Sequence, residues 1–252
     1  MMVIAIANQK GGVAKTTSSQ AIAAVLKRNG HRVLAIDFDP QGNLSDSVGA
    51  DVKEINATIY EVLAKENIGI KSAIQEMPMF DIAPADIMLA NTDLMAQIGK
   101  EYLLREAIEP VRGEYDYIII DSPPSLGLLT INALTAADAV LIPTSDDRFS
   151  VKGINELANT VKRIKKYFNP NLTIRGIFFT RYEPRTINAQ EMHESVVILG
   201  KALGIPVLST NIRNRVKVKE AQARQLDLLG YSGCEEVVKD YSDLVAEVFG
   251  GE

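Results

Sequence analysis

The sequence predicts an α/β fold in which a doubly wound, mostly parallel central sheet carries helices on both faces. Five segments consist almost entirely of apolar residues, and helical patterns lie between them. Strands covered on both faces have this composition, because neither side of the strand meets water. The predicted strands span residues 2–7, 32–37, 115–121, 139–143 and 173–180.

Three longer segments have the spacing of apolar residues that an amphipathic helix requires. They span residues 16–28, 150–168 and 186–203, whereas residues 43–113 are less regular and predict only short helices. No repeat, low-complexity segment or linker interrupts the alternation, so we expect one domain over residues 1–252. Since the chain begins directly on its first predicted strand, we expect no helix-turn-helix domain before it.

Composition excludes several kinds of protein. The 252 residues are 46% hydrophobic, which is enough for a large core. No apolar run is long enough to span a bilayer, and no charged leader precedes the first apolar segment. Because Cys234 is the one cysteine, the chain cannot form an internal disulfide or supply two thiolates to one site. We expect a cytoplasmic protein.

Positive charge is concentrated in one part of the chain. Residues 152–224 contain 14 Lys and Arg against 5 Glu and no Asp, a balance of +9. The whole chain has a net charge of −5, so the remaining residues carry −14. Such segregation predicts a basic surface for an anionic partner, although ordinary solvated helices would give the same count.

A variant of a phosphate-binding loop follows the first predicted strand, in the stretch ANQKGGVAKTTSS. The common pattern is Gly, four residues, then Gly-Lys-Ser/Thr, and here Gln9 and Ala14 stand at both glycine positions. The loop precedes a predicted helix, so its N–H groups and the helix N-terminus can converge on phosphates. This context predicts that Lys15 reaches nucleotide phosphates and that Thr16 is a ligand to Mg²⁺.

Two acidic motifs also follow predicted strands. AIDFDPQGN places Asp37 and Asp39 at the end of the second strand, and IIIDSPPS places Asp121 at the end of the next long one. Ligands bind at this edge of open parallel sheets. Either motif alone could be a helix cap. Together with the loop, the two motifs predict a site for a metal ion and a nucleotide.

The stretch KGGVAKTT resembles the deviant Walker A motif of the ParA/MinD class of P-loop ATPases. DFDPQGN, DSPPSLGLLTINAL and RNRVKVKEA are similar to segments of the ParA/Soj branch, the DNA-partitioning ATPases, and the similarity covers essentially the whole chain. Ala14 departs from the glycine usual in this class. The resemblance implies a P-loop NTPase fold and hydrolysis of ATP with Mg²⁺ as cofactor.

The same resemblance implies partners. Members form ATP-dependent homodimers that bind double-stranded DNA without sequence preference, in the cytoplasm and on the nucleoid. A ParB-type protein, or a small ribbon-type DNA-binding adaptor, stimulates hydrolysis and so drives plasmid or chromosome partition. The acidic C-terminal segment of this chain disfavours attachment to a membrane.

Residue roles follow from the resemblance. Lys10, the early lysine of the motif, would reach the partner subunit's phosphates, Lys15 would bind its own, and Asp39 would orient the attacking water. The implied ATP contacts also include Gly11, Gly12, Val13, Ala14, Thr16, Thr17 and Asn214. The implied metal site consists of Thr16, Asp37 and Asp121. The basic residues favoured for DNA phosphates are Arg185, Arg213, Arg215, Lys217 and Lys219.

Three other classes of P-loop protein fit this pattern less well. A MinD-like positioning ATPase, acting on a membrane or other cargo, needs a basic amphipathic C-terminal helix, whereas this chain ends in the acidic DYSDLVAEVFGGE. An iron–sulfur reductase of nitrogenase type needs two cluster cysteines per subunit. A small-molecule ligase such as dethiobiotin synthetase needs neither the early lysine nor a basic surface. The partitioning ATPase fits best, with the MinD-like protein as the alternative.

Overall fold

Six parallel strands form one sheet in the computed structural model, which describes residues 1–52, 57–94, 98–147, 149–183 and 187–250. The spatial order is β3-β2-β4-β1-β5-β6, with β1 near the centre. The strands are β1 Met2–Ile6, β2 Val33–Asp37, β3 Asp81–Ala83, β4 Tyr117–Asp121, β5 Ala139–Thr144 and β6 Thr173–Phe179. The predicted fold class is therefore confirmed.

Helices connect the strands and cover both faces of the sheet. In the described ranges the helices are α1 Lys15–Arg28, α2 Asn43–Ser47, α3 Ile59–Ala64, α4 Leu103–Ile108, α5 Leu128–Ala136, α6 Ser150–Tyr167, α7 Ile187–Leu203, α8 Val216–Ala223 and α9 Glu235–Phe249. Short 3₁₀ segments lie at Ile70–Ser72, Ile87–Leu94, Glu109–Val111 and Leu228–Gly230.

The sheet separates two apolar layers. Side chains of a strand alternate between the two faces, and in β1 Val3 and Ala5 join one buried cluster while Ile4 and Ile6 join the other. This two-sided burial explains why the strands read as uninterrupted apolar runs. All five strands predicted from such runs are present. The edge strand β3 was not predicted, because three residues are too few to give a periodic signal.

The C-terminal helix α9 packs its apolar side into the second layer. Val237, Leu244 and Phe249 are buried there with residues of α1, and the hydroxyls of Tyr241 and Ser18 are 3.0 Å apart. The apolar face of α9 is therefore covered by the protein itself. Within the part of the chain that the structure describes, no helix is both long enough and apolar enough to cross a membrane.

Strand register brings the predicted site residues to one edge of the sheet. Asp121 lies opposite Ile6 in β1 and opposite Asp37 in β2. The loop after β1 begins at the same edge. In the sheet, β2 lies on one side of β1 and β5 lies on the other. In a doubly wound sheet this change of side opens a crevice for a ligand.

Candidate active site

The loop after β1 is anchored by a buried asparagine. Asn8 accepts a hydrogen bond from the Lys10 N–H at 3.0 Å and donates one to the Pro143 carbonyl at 2.8 Å. A Cβ on Gly153 of α6 would lie 3.2 Å from the Asn8 amide oxygen, so glycine permits this close approach. The loop is therefore held against the end of β5 and the start of α6.

Ala14 precedes α1 in the left-handed region, with φ 57° and ψ 34°. An L-residue with a side chain loses about 1–2 kcal/mol in this conformation, which glycine adopts freely. The methyl group is accommodated, but the backbone carries this cost. Gly12, with φ 76°, occupies the same region without it. The left-handed conformation at position 14 explains why related loops usually have glycine there.

Lys15 is buried at the start of α1. Its Nζ donates a hydrogen bond to the Lys10 carbonyl at 3.1 Å, which places the ammonium across the loop. Burial lowers the pKa of Lys15, while the nearby charges of Asp121 and Asp39 oppose this shift. An anionic ligand would remove the penalty of burying the ammonium, so this cation fits a phosphate-binding role.

Asp121 supplies a buried carboxylate directly beside the loop. Its Oδ1 accepts a hydrogen bond from the Ser19 hydroxyl at 2.9 Å, and the Thr16 side chain is close enough to lower the pKa of this carboxyl. Its Oδ2 is buried without a hydrogen-bond partner. Burial, and then the neighbouring charge of Asp37, raise the pKa of Asp121 to about 7. An orphaned carboxylate oxygen beside a threonine hydroxyl is the donor set that Mg²⁺ prefers.

Asp37 and Asp39 have different environments. Fully buried Asp37 accepts hydrogen bonds from the Ser45 N–H at 2.8 Å and hydroxyl at 2.7 Å, and from the Asp39 N–H at 3.2 Å. Burial raises its pKa to about 6. Asp39 accepts a bond from the Gln41 N–H at 3.0 Å and lines the cleft. Asp37 thus organises the segment that presents Asp39.

A cleft of about 430 Å³ collects most of the predicted nucleotide contacts. Its lining includes Gly11, Gly12, Ala14, Lys15, Thr16, Thr17 and Asp39. Val13 differs, since its side chain is fully buried and its carbonyl accepts a bond from the Thr180 hydroxyl at 3.2 Å. Asn214 lines a second, smaller cavity with Ile212 and Tyr241. Its amide donates to Glu183 at 3.0 Å.

Two residues that sequence reasoning missed lie between the two cavities. Arg181 and Gln222 line both. Arg181 has φ 53°, a strained value for a residue with a side chain, and such strain is often found at functional sites. The Gln222 amide donates to Gln20 at 3.1 Å and to the Thr17 hydroxyl at 3.3 Å. Only the strand-end position of Arg181 could have drawn attention to it.

Lys10 extends toward the end of β5. Its Nζ donates to the Ser145 hydroxyl at 2.9 Å and forms an ion pair with Asp147. Burial lowers the pKa of Lys10, and the charge of Asp146 opposes this shift. The two lysines of the motif thus have separate partners, since Lys15 crosses the loop and Lys10 contacts the segment that leads into α6.

The basic residues predicted for DNA contact lie beside α9. Arg213 pairs with Asp240 and Glu236, each at 2.8 Å, and Arg215 also pairs with Glu236. Lys217 pairs with Glu220 at 2.7 Å, and Lys219 lines the smaller cavity. Arg185 lies outside the described residues. Acidic side chains of the same chain therefore neutralise much of this predicted surface.

Comparisons with known proteins identify the family of this chain. A family model described as an AAA domain matches residues 1–174. The sporulation initiation inhibitor protein Soj of Bacillus subtilis (strain 168) is 38% identical over 250 residues, which are 98% of this chain and 97% of that protein. The chromosome partitioning protein ParA of Caulobacter vibrioides (strain NA1000 / CB15N) is 39% identical over 226 residues, 88% of this chain and 84% of that protein.

A solved structure is similar over nearly the same length. It is a cobyrinic acid a,c-diamide synthase from Mycobacterium smegmatis with a bound ATP analogue and magnesium. The two chains are 31% identical with a TM-score of 0.82, and the match covers 97% of this chain and 93% of that one.

Proposed function

We propose that this chain, which belongs to the ParA/Soj family of partitioning ATPases and hydrolyses ATP with Mg²⁺, dimerises around the bound nucleotide. In this proposal the dimer binds DNA without sequence preference, and hydrolysis releases it. The observation that carries the proposal is the separation of two lysines in one loop. Lys15 crosses its own loop, whereas Lys10 extends toward the end of β5.

Charge and position assign the hydrolytic roles. Lys15 would neutralise phosphate charge, with the loop N–H groups from Gly11 to Ala14. Thr16 and Asp121 would hold Mg²⁺, and Asp37 would keep Asp39 in place. The metal ion, when bound, offsets negative charge that develops on the phosphate oxygens. Asp39, which lines the cleft, would orient the attacking water.

The base would enter the smaller cavity beside Asn214. This cavity continues from the cleft along Thr17 and Gln222, which line both spaces. Its apolar wall of Ile212 and Val218 suits the faces of a purine ring, and the Asn214 amide can exchange hydrogen bonds with its edge.

The dimer would place a partner subunit's loop near the start of α6. Phe149, the residue just before α6, is 66% exposed, an unusual position for a large aromatic side chain. The same end of α6 approaches the loop, since a Cβ on Gly153 would lie 4.0 Å from the Lys10 Cβ. A second subunit that covered Phe149 would also bring its phosphates within reach of Lys10.

DNA contact would come from basic residues after β6. The proposed residues are Arg185, Arg213, Arg215, Lys217 and Lys219. Cations that contact phosphates position a protein without reading sequence, and binding then weakens steeply as salt rises. A ParB-type or small ribbon-type DNA-binding adaptor would stimulate hydrolysis, and association with DNA would place the protein on the nucleoid.

The experiment is a measurement of ATP hydrolysis with and without nonspecific duplex DNA, together with DNA affinity in ATP, in ADP and without nucleotide. We expect the protein to bind DNA in the presence of ATP but not with ADP or without nucleotide. We also expect it to hydrolyse ATP faster when DNA is present. A protein that hydrolyses ATP but binds no DNA in any nucleotide would contradict the proposal. That outcome would direct attention to an amide-forming activity like that named for the Mycobacterium smegmatis structure.

A further inference from the structure

Helix α6 ends in four exposed cationic side chains, which we call the α6 basic cluster: Lys162, Arg163, Lys165 and Lys166. None of the four forms an ion pair with a residue that the structure describes. The Lys166 Nζ lies 5.0 Å from the centroid of the Tyr167 ring. Four positive charges therefore stand within five residues of one helix, and no carboxylate in the described part of the chain forms an ion pair with them.

Helix stability explains only part of this cluster. Lys165 and Lys166 lie in the last turn of α6, where a cation interacts favourably with the helix dipole. Lys162 and Arg163 lie nearly a turn earlier, where this effect has largely decayed. The helix is held in place by its opposite face, since Leu157 and other apolar side chains there are buried. The fold does not require these two cations.

The cations near α8 have a different environment. Arg213 is held by Asp240 and Glu236, and Lys217 by Glu220. A phosphate that approached either of them would have to compete with a carboxylate of the same chain. A phosphate that approached the α6 basic cluster would meet no such competition. The positive field around the cluster is therefore available to a polyanion.

We propose that the α6 basic cluster is a second contact surface for the phosphates of duplex DNA. This inference rests on the proposed DNA binding and adds residues to it. Side chains four positions apart, such as Lys162 and Lys166, lie on the same face of a helix, so two or more can contact one phosphate backbone together. A surface of this kind has no means of reading bases, which agrees with binding that ignores sequence.

The cluster is far from the nucleotide. Helix α6 spans 18 residues, which corresponds to roughly 27 Å at a rise of about 1.5 Å per residue. The first turn of α6 lies beside the loop after β1, at the carboxyl ends of the strands. Its last turn lies at the amino ends of the strands, where β6 begins. Changes in the cluster should therefore leave nucleotide affinity and ATP-dependent dimerisation unchanged, so a failure of this inference can be told apart from a failure of the proposed function.

The test compares two variants of equal charge. One replaces all four cluster residues with glutamine (K162Q/R163Q/K165Q/K166Q). The control replaces four exposed lysines elsewhere (K27Q/K65Q/K71Q/K239Q), so both variants lose four positive charges. Affinity for a fluorescent duplex is measured in ATP over a range of salt concentrations. Circular dichroism, nucleotide affinity and light scattering check folding, ATP binding and dimerisation.

We expect the cluster variant to bind DNA at least tenfold more weakly than the control at about 0.1 M salt. Its plot of log affinity against log salt should be shallower, by about 0.9 for each DNA phosphate that the variant no longer neutralises. Equal affinities of the two variants would overturn the inference. The inference would also be overturned if the cluster variant bound DNA normally but was no longer stimulated by an adaptor protein. That result would instead assign the shallow groove beside Lys162 and Lys165 to an acidic protein segment. If the unaltered protein itself binds no DNA, the proposed function fails first.

Discussion

Lys10 and Asp147 form an ion pair within one chain, and the Ser145 hydroxyl accepts a second bond from the same ammonium at 2.9 Å. These contacts compete with the proposed role of Lys10, because an ammonium that neutralises another subunit's phosphates must leave both partners. The pair therefore holds the lysine within its own subunit, and we expect it to oppose the proposed dimerisation.

Asp147→Asn should strengthen the ATP-dependent dimer. Asn keeps an oxygen that can accept the Phe149 N–H but removes the charge that holds Lys10. A partly exposed ion pair contributes about 0.2–1 kcal/mol and each dimer would break two of them, so the dimer dissociation constant should fall roughly two- to thirtyfold. Analytical ultracentrifugation in ATP measures this change. The control is Asp243→Asn, which breaks an exposed pair with Lys239 on α9, and an equal effect of both variants would show that Asp147 does not restrain Lys10.

Asp39→Ala should separate ATP binding from hydrolysis. If Asp39 orients the attacking water, the variant binds ATP and dimerises but hydrolyses at least tenfold more slowly. It should then dissociate from DNA more slowly than the unaltered protein. Hydrolysis and DNA dissociation rates are measured beside Asp46→Ala, a second carboxylate of the cleft lining. Loss of ATP binding by Asp39→Ala would instead assign this residue to the metal site.

Asp121→Asn should stabilise the folded chain and weaken Mg²⁺ and ATP binding. The pKa of Asp121 in the folded chain, about 7, lies above its ordinary value of 3.8. The protonated form therefore favours folding, and its contribution is full below about pH 4 and is lost as the pH rises toward 7. Asn has no charge to bury and keeps an oxygen for the Ser19 hydroxyl.

The free energy of unfolding of Asp121→Asn should accordingly exceed that of the unaltered protein at pH 8, by up to about 4 kcal/mol. At pH 5 the two should differ much less. Chemical denaturation at both pH values, without nucleotide or metal, measures these differences. A variant that is less stable at pH 8 would show that the Asp121 charge is compensated in the fold.

Ala14→Gly should stabilise the protein. Glycine relieves the left-handed conformation at this position but loses more backbone entropy on folding. The net gain should be roughly 1 kcal/mol, or about 2–4 °C in Tm for a chain of this size. Ala24→Gly, in the interior of the same helix, should lose about 1 kcal/mol. Calorimetry of both variants provides the comparison, and a loss of stability in both would contradict the strain assigned to Ala14.

Local sequence patterns were sufficient to predict the strands and the loop that position the site. Apolar runs predicted five strands because buried parallel strands tolerate few polar residues. Asp37 and Asp121 could be placed together because both end parallel strands, and such ends meet at one edge of the sheet. Lys15 and Thr16 followed from the loop between β1 and α1.

Pairings between distant segments could not be predicted in this way. Arg213 and Asp240 are 27 positions apart, and their ion pair depends on how α9 packs after the sheet has formed. Gln222 and Thr17 are 205 positions apart, and their contact depends on how α8 packs beside α1. Ala14 and Arg181 have positive φ angles of 57° and 53°, which the local preference of residues with a side chain disfavours. Periodicity carries no information about any of these features.

The proposed action of Lys10 on a second subunit is tested most directly by measuring nucleotide affinity and oligomeric state together for two variants. Fluorescent ATP reports affinity, and light scattering reports mass. Lys10→Ala should bind ATP nearly as well as the unaltered protein but should no longer dimerise with ATP, because two facing triphosphates repel strongly at a desolvated interface. Lys15→Ala should lose nucleotide affinity first. If Lys10→Ala dimerises with ATP as the unaltered protein does, Lys10 does not act on a second subunit.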